Sequence, residues 1–370
     1  MGIKYYYIDD DPKTTIEETA KGLSVYPSRL KIEAFQHESW DNQLAFIIDH
    51  QNSFDGLILD WSLNNKNSKG DNANYNVEAL AQQLRRLIID NEKIKKDFPI
   101  VLCSANYKFK DTFSRELTGH DLFDLVFEKD DFDTKQEIII NQLEDLANGY
   151  KIIAKDNSIE NIFCVKQVDE VDYRIVDHLQ NQKKEPPHEI SRFLFTKIIN
   201  ANGVLIDEYL LAARCGVDII DEKNLSEWEK LKDLLKGTKY CGVFSNGWQR
   251  WWMNKVTSFW EEHFQSSPGS ILGEKRVEIL NSKFGIKLTP AKIFEKGNSS
   301  AFWVICKKTL RPLAIEDAVL CSSDINKPAW EEDEYFSVKV ALEEDIKTIH
   351  PLEKDRVKKL KELFAKVRPK

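Results

Sequence analysis

Long hydrophobic runs are the plainest thing this chain lacks. No apolar stretch approaches the ~20 residues a helix needs to cross a bilayer, so a membrane-spanning role is not expected. The 370 residues are 42% hydrophobic and 31% charged, the balance of a soluble globular protein. That length leaves room for two or three domains at roughly 150 residues each. A secretory h-region and cleavage site are missing, because the chain enters a strand pattern at once. N-myristoylation after Gly2 is not expected either, since Tyr6 stands where that motif takes Ser or Thr. The six cysteines (103, 164, 215, 241, 306 and 321) form no CxxC. That argues against a zinc site or a disulfide framework and suits reduced thiols in a cytoplasmic protein. Internal repeats and coiled-coil heptads are absent too.

A basic surplus is also missing. Residues 158–370 carry 34 Lys/Arg and 33 Asp/Glu, whereas the first 157 carry 19 and 28. The acidic first part argues against a nucleic-acid surface there, and the near-neutral second part gives no basic face by composition. Walker A, GxGxxG, HExxH and nucleophile-elbow motifs do not occur in the second part. Glu261-Glu262-His263 is sequential rather than spaced for one helix face, and reads as surface.

What is present is an alternation of short apolar runs and amphipathic stretches over the first 150 residues. Strands are expected at residues 3–9, 29–35, 57–60, 98–104 and 122–129. Helices are expected at 14–23, 40–50, 77–94, 109–117 (Phe109–Leu117) and 134–147, the last stopped by Asn148-Gly149. Five strands alternating with five helices imply a doubly wound parallel sheet. The strands end on chemistry-bearing groups: Asp9 and Asp10, Asp60, Ser104 and Lys129. In a parallel sheet these ends share one edge, where ligands bind. Crowded carboxylates repel one another, and a hard cation such as Mg²⁺ relieves that repulsion while orienting a phosphate. One carboxylate is then a candidate nucleophile toward a phosphoryl group, with the lysine pairing its oxygens.

In Tyr7-Ile-Asp-Asp-Asp-Pro12, Asp55-Gly-Leu-Ile-Leu-Asp60-Trp, Ile100-Val-Leu-Cys-Ser-Ala105 and Val126-Phe-Glu-Lys129, the chain resembles the receiver domain of two-component response regulators. The resemblance covers residues 1–150 and implies a flavodoxin-like fold. It implies Asp60 as phosphoacceptor and Mg²⁺ held by Asp10, Asp60 and the Ser62 carbonyl, with Asp9 helping through water. Ser104 takes the switch-hydroxyl position and Lys129 that of the phosphate-pairing lysine. A histidine kinase or phosphotransfer protein is the implied partner.

Three departures stand out. Asp130 follows the lysine where the family has proline, Val126 occupies the aromatic switch position, and the loop Asn64–Asn76 is long. They put the standard output relay in doubt.

Beyond residue 150 the reading is coarser. Tyr150–Ala154 and Ile162–Val168 are either strands or a continuation of the preceding helix, and 151–187 reads as connector and linker, with polar, Pro-interrupted 180–187 at its end. Residues 188–370 are expected to form a mixed α+β output or interaction domain. Helices are expected at 190–199, 205–214 and 225–235, a strand and turn at 240–247, and a charged terminal helix over 351–370. Strands are expected at 286–288, 302–306, 318–321 and 335–340. Trp248, Trp252 and Trp260, with Val256, are placed on one helix face as a core stripe or protein interface. The three short helices faintly resemble a winged helix, but Glu227, Glu229 and Asp233 suit a phosphate-facing helix badly. The expected output is therefore an unusual one. The alternative is a phosphate sink or interaction receiver, as in phosphorelays that include phage defence. A phosphorylation-controlled DNA-binding protein, a hidden enzyme and a homodimer are left open, and nucleic acid is an unexpected partner.

Overall fold

The computed structural model describes residues 2–24, 26–104, 122–264, 266–294, 297–323 and 327–367. The helix expected over Phe109–Leu117 and the end of the terminal helix, 368–370, lie outside the described residues. The chain divides into two compact units, Met1–Phe195 with Cys241–Trp248, and Thr196–Tyr240 with Gln249–Lys370.

The first unit is built on a five-stranded sheet of β1 (Ile3–Asp9), β2 (Leu30–Gln36), β3 (Gly56–Asp60), β4 (Ile100–Ser104) and β5 (Leu125–Glu128). Its order is β2-β1-β3-β4-β5, and every pairing is parallel. Helices α1 (Lys13–Leu23), α2 (Trp40–His50) and α3 (Val77–Asp90) supply crossovers, and α4 (Asp131–Lys155) follows β5. This is the doubly wound, flavodoxin-like architecture expected from the strand–helix alternation. The central strand β3 is buried at all five positions. Burying Leu57, Ile58 and Leu59 contributes about 1.5–3 kcal/mol each, which fixes the register and so the position of Asp60. Gly56 opens that strand because a Cβ there would lie 2.2 Å from the Tyr5 ring. Helix α3 starts where the Asn76 side chain accepts from the Ala79 N–H at 2.9 Å, and ends at Asn91 in the left-handed region.

Of the two readings of Tyr150–Ala154, the helix is the one observed: α4 runs through Asn148-Gly149 to Lys155. Gly149 answers a packing demand rather than a stop, since a Cβ there would meet the Phe244 ring at 2.1 Å. Helices α5 (Ile159–Phe163), α6 (Tyr173–Asn181) and α7 (Pro187–Leu194) complete the unit.

The second unit is mixed α+β, as expected. It contains α8 (Glu208–Cys215), α9 (Leu225–Leu234), α10 (Met253–Phe264), α11 (Gly273–Phe284), α12 (Val338–Glu343) and α13 (Lys354–Val367). Three antiparallel pairs join β6 (Leu205–Ile206) to β7 (Trp251–Trp252), β8 (Phe302–Ile305) to β9 (Pro312–Ala314), and β10 (Ala318–Leu320) to β11 (Tyr335–Ser337). Local expectations are corrected here. Leu205–Ile206 is strand rather than helix, because the Asp207 side chain accepts from the Leu210 N–H at 2.8 Å and starts the helix after it. Residues 286–288 form no strand, and 240–247 run mainly as turns. The tryptophans do not share a helix face: Trp252 pairs with Leu205 in a strand, and the helix begins only at Met253.

Candidate functional site at the carboxyl edge of the sheet

The order β2-β1-β3 reverses strand direction of travel across the sheet at β1 and β3, so a crevice opens at their carboxyl ends. Asp9 closes β1 and Asp60 closes β3. The carboxylates of Asp9, Asp10 and Asp60 can each offer an oxygen within 4.8 Å of the others. They are 0%, 7% and 5% exposed. Lys129, just past β5, reaches in from the far side: its Nζ lies 2.7 Å from Asp9 Oδ2, 2.9 Å from Asp60 Oδ1 and 3.3 Å from Asp11 Oδ2. The Lys129 N–H donates to the Ser104 carbonyl at 2.8 Å, which ties the lysine to the end of β4. Ser104 is buried and lines the same open cavity of about 410 Å³ as Asp10, Asp60, Ser62 and Lys129. Each residue named from the first half of the sequence thus falls at this one edge.

The electrostatics follow from the excess of acid. Burial, and then the negative charge of Asp9, raises the Asp60 carboxyl from 3.8 to about 6, with Lys129 and the Ser62 N–H pulling the other way. Burial alone would lower Lys129, yet Asp60 and Asp9 outweigh it and hold the ammonium raised. The site therefore presents more negative charge than its own cation balances.

Three participants were not anticipated. Tyr7 donates its hydroxyl to Asp9 Oδ2, and burial, with Cys103 and Asp9 beside it, pushes that phenol up so that it stays protonated. Strand alternation carried the signal, because residues 7 and 9 share a face. Asp11 donates its N–H to Asp9 Oδ1 at 2.9 Å. Asn65 donates its N–H to Asp10 Oδ2 at 2.6 Å. No side-chain pattern announces a backbone donor.

The long loop is built rather than loose. Asn67 is 6% exposed, donates to the His37 carbonyl at 3.0 Å, and accepts from the Lys69 and Asp71 N–H groups at 2.9 Å each.

The donor set fits a hard divalent cation, since Asp9, Asp10 and Asp60 can bring carboxylate oxygens together and such oxygens are what Mg²⁺ takes. Of the tryptophans named from the second half, Trp248 belongs to the first unit and Trp252 and Trp260 to the second. Trp260 is 0% and Trp252 2% exposed, and Trp260 packs with Trp228 and Trp251 in the core of the second unit. Trp248 is half-buried edge-on to Phe195, ring centroids 4.7 Å apart.

Among the described residues, no helix is long and apolar enough to cross a membrane. No family model matches the chain, and no curated protein matches it. Solved structures similar to it include a pilus assembly-related protein from Burkholderia pseudomallei K96243. That protein is 13% identical over 37% of this chain and 89% of its own, with a TM-score of 0.24. Another is the phosphorylated cyanobacterial phytochrome response regulator RcpA, 14% identical over 43% of this chain and 97% of its own, with a TM-score of 0.24. The receiver-like fold of the first unit rests on its own strand order and parallel register.

Proposed function

We infer that the first unit accepts a phosphoryl group on Asp60 from a histidine kinase or phosphotransfer protein in the cytoplasm. The observation that carries this reading is the placement of Asp60. It closes the central strand, is 5% exposed, faces an open cavity, and has one oxygen 2.9 Å from the Lys129 ammonium. With its carboxyl near 6, Asp60 is mostly ionised at neutral pH and nucleophilic. An Asp60 oxygen forms the O–P bond as the P–N bond of the donor phosphohistidine breaks, and the departing imidazole takes up a proton. Lys129 passes from the carboxylates to the phosphoryl oxygens, and the Ser104 hydroxyl is the group at hand to hydrogen-bond one of them. Asp10, Asp60 and the Ser62 carbonyl would hold Mg²⁺, with Asp9 acting through water. When bound, the ion neutralises crowded carboxylate and incoming phosphoryl charge. Hydrolysis of the aspartyl phosphate regenerates Asp60.

The phosphorylated state is then relayed to the second unit as output. A phosphate sink or interaction receiver is the second reading, favoured by one observation. The position three residues before Lys129 holds Val126, a half-buried aliphatic packed on the core, where a relay needs a swinging aromatic ring.

Incubation with acetyl phosphate and Mg²⁺ is expected to add one phosphate to the full chain by intact mass, and none to Asp60→Asn. Persistent labelling of Asp60→Asn at another residue overturns the assignment.

A further inference from the structure

Of the six cysteines, Cys164 and Cys241 are exposed and the other four are buried. The exposed two stand 77 positions apart in sequence, yet the Cys241 Sγ lies 3.9 Å from the Cys164 carbonyl oxygen. Both belong to the first unit. Cys164 caps α5 in the left-handed region, at φ 54° and ψ 46°. In that conformation the Cβ of an L-residue crowds its own carbonyl oxygen. The sulfur of Cys241 therefore lies beside the carbonyl that the Cys164 Cβ crowds. Two residues after Cys241 and two before Cys164, the Val243 N–H donates to the Ile162 carbonyl at 2.8 Å, so the two segments are held side by side. Opposed residues of backbones paired in this way have Cα atoms about 4.5–5.5 Å apart, inside the range of about 4.4–6.8 Å that a disulfide requires.

The remaining four are buried. Burial pushes the thiols of Cys103, Cys215 and Cys321 up. Cys306, which burial raises but hydrogen bonds from Thr309 and the Ser337 N–H lower, is near enough to Cys321 to act on it, yet neither thiol is exposed as Cys164 and Cys241 are.

We propose that Cys164 and Cys241 are a reversible disulfide site, closed by a peroxide and reopened by a dithiol reductant. One thiolate attacks an oxygen of hydrogen peroxide, the O–O bond breaks, and a sulfenic acid and water form. The second thiolate attacks the sulfenic sulfur, the S–O bond breaks, and the S–S bond forms with release of a second water. Two thiols are oxidised and one peroxide is reduced. Exposed disulfides of this type are the labile, regulatory ones.

The position gives the bond a consequence. The chain leaves the first unit at Thr196, returns for Cys241–Trp248 alone, and leaves again at Gln249. The return segment is held at its far end by Asp145, whose carboxylate accepts the Asn246 and Gly247 N–H groups at 2.9 Å each. Its middle is held by Phe244, 4.5 Å from Phe195 between ring centroids. A Cys164–Cys241 bond adds a covalent tie at its start, so redox state sets how tightly the segment is kept. This site does not depend on the phosphoacceptor reading of Asp60.

The test treats the reduced full chain with hydrogen peroxide and maps its peptides without reduction. The expected product is one linked peptide pair joining Cys164 to Cys241, a mass loss of two hydrogens, and full reversal by dithiothreitol. Amide exchange across 241–248 should slow by about tenfold in the oxidised chain. Cys164→Ser and Cys241→Ser, both conservative at exposed sites, should each abolish the link and leave the partner open to maleimide. Separate sulfinic acids on the two residues with no linked pair overturn the proposal. So do links to Cys103, Cys215, Cys306 or Cys321 in equal yield.

Discussion

Asp55 and Asp60 bracket the same strand, and their carboxyl groups are shifted in opposite directions. At the amino edge, Asp55 takes the ammonium groups of Lys151 at 3.0 Å and Lys96 at 3.1 Å, and the Lys4 N–H at 3.1 Å. Burial works against its charge, but Lys151, the Lys4 N–H and Lys96 outweigh it and hold Asp55 below its ordinary range. Its neighbours at that edge are balanced in the same way. Arg85 from α3 reaches Asp97 at 3.3 Å and Asp124 at 2.7 Å, all three side chains being under a tenth exposed. His188 Nδ1 lies 2.8 Å from Asp97, and the Tyr150 hydroxyl donates to Asp124 at 2.5 Å. At the carboxyl edge the ratio inverts. Asp9, Asp11 and Asp60 gather on Lys129, with Asp10 beside them, and Asp60 rises to about 6. Buried acid alone does not mark a site. Acid left short of cations does, because a fold that only needed its charges satisfied would have matched them as the amino edge does.

The largest break in this comparison comes from Arg85→Met. It strands Asp97 and Asp124 without their cation, and removing one member of a buried pair costs about 3–5 kcal/mol. Urea unfolding should show that loss. Asp60→Asn should act with the opposite sign. A shift from 3.8 to about 6 means the fold disfavours the charged form, so neutralising it gains up to about 3 kcal/mol at neutral pH. The sign in pH follows. Between about pH 4 and about pH 6 the folded chain holds a proton that the unfolded chain has released, so stability falls as pH rises through that window. Asp60→Asn lacks this titration, and the gap between the two proteins should close below about pH 4. Unfolding midpoints measured in steps across the window, without Mg²⁺, check it. A gap that stays constant with pH removes Asp60 as the strained group.

Much of the first sheet was legible because each strand is a short apolar run ending on a polar group, and parallel topology gathers those ends without further information. The supports of the site were less legible. Tyr5, Tyr6 and Tyr7 read as one aromatic run, and although strand alternation puts Tyr7 on the face of Asp9, the run does not single out its hydroxyl as the Asp9 donor. Asn64–Asn76 shows in the sequence only as a long loop because its anchors lie elsewhere: the Asn67 side chain closes on His37, some thirty residues earlier. Gly149 carried a helix-stop signal that tertiary packing overrode, the ring of Phe244 taking the space of its side chain. The tryptophan spacing suited a helix, but Trp251 and Trp252 are drawn into a strand with Ile206 and Leu205, a pairing no local period encodes. Local pattern reveals where a chain must bury a face. It does not reveal which distant segment covers it.

The smallest test sharpens the opening contrast on one strand. Asp55→Asn removes a carboxylate that its lysines favour, so it should destabilise, whereas Asp60→Asn stabilises. The amino-edge contacts are partly open to water, which limits the loss to about 1 kcal/mol at neutral pH. Because the folded-state value of Asp55 is depressed, its contribution is present above the ordinary carboxyl value and disappears as pH falls below it. The loss should therefore shrink on acidification through the region beneath 3.8, on the far side of the window in which Asp60 acts. Acetyl-phosphate labelling of Asp60 in Asp55→Asn should match that of the parent chain, since the substitution lies at the opposite end of a strand buried throughout. A labelling rate that drops with the substitution would show the two ends to be coupled through β3, and the separation of structural from functional acid along this strand would then fail.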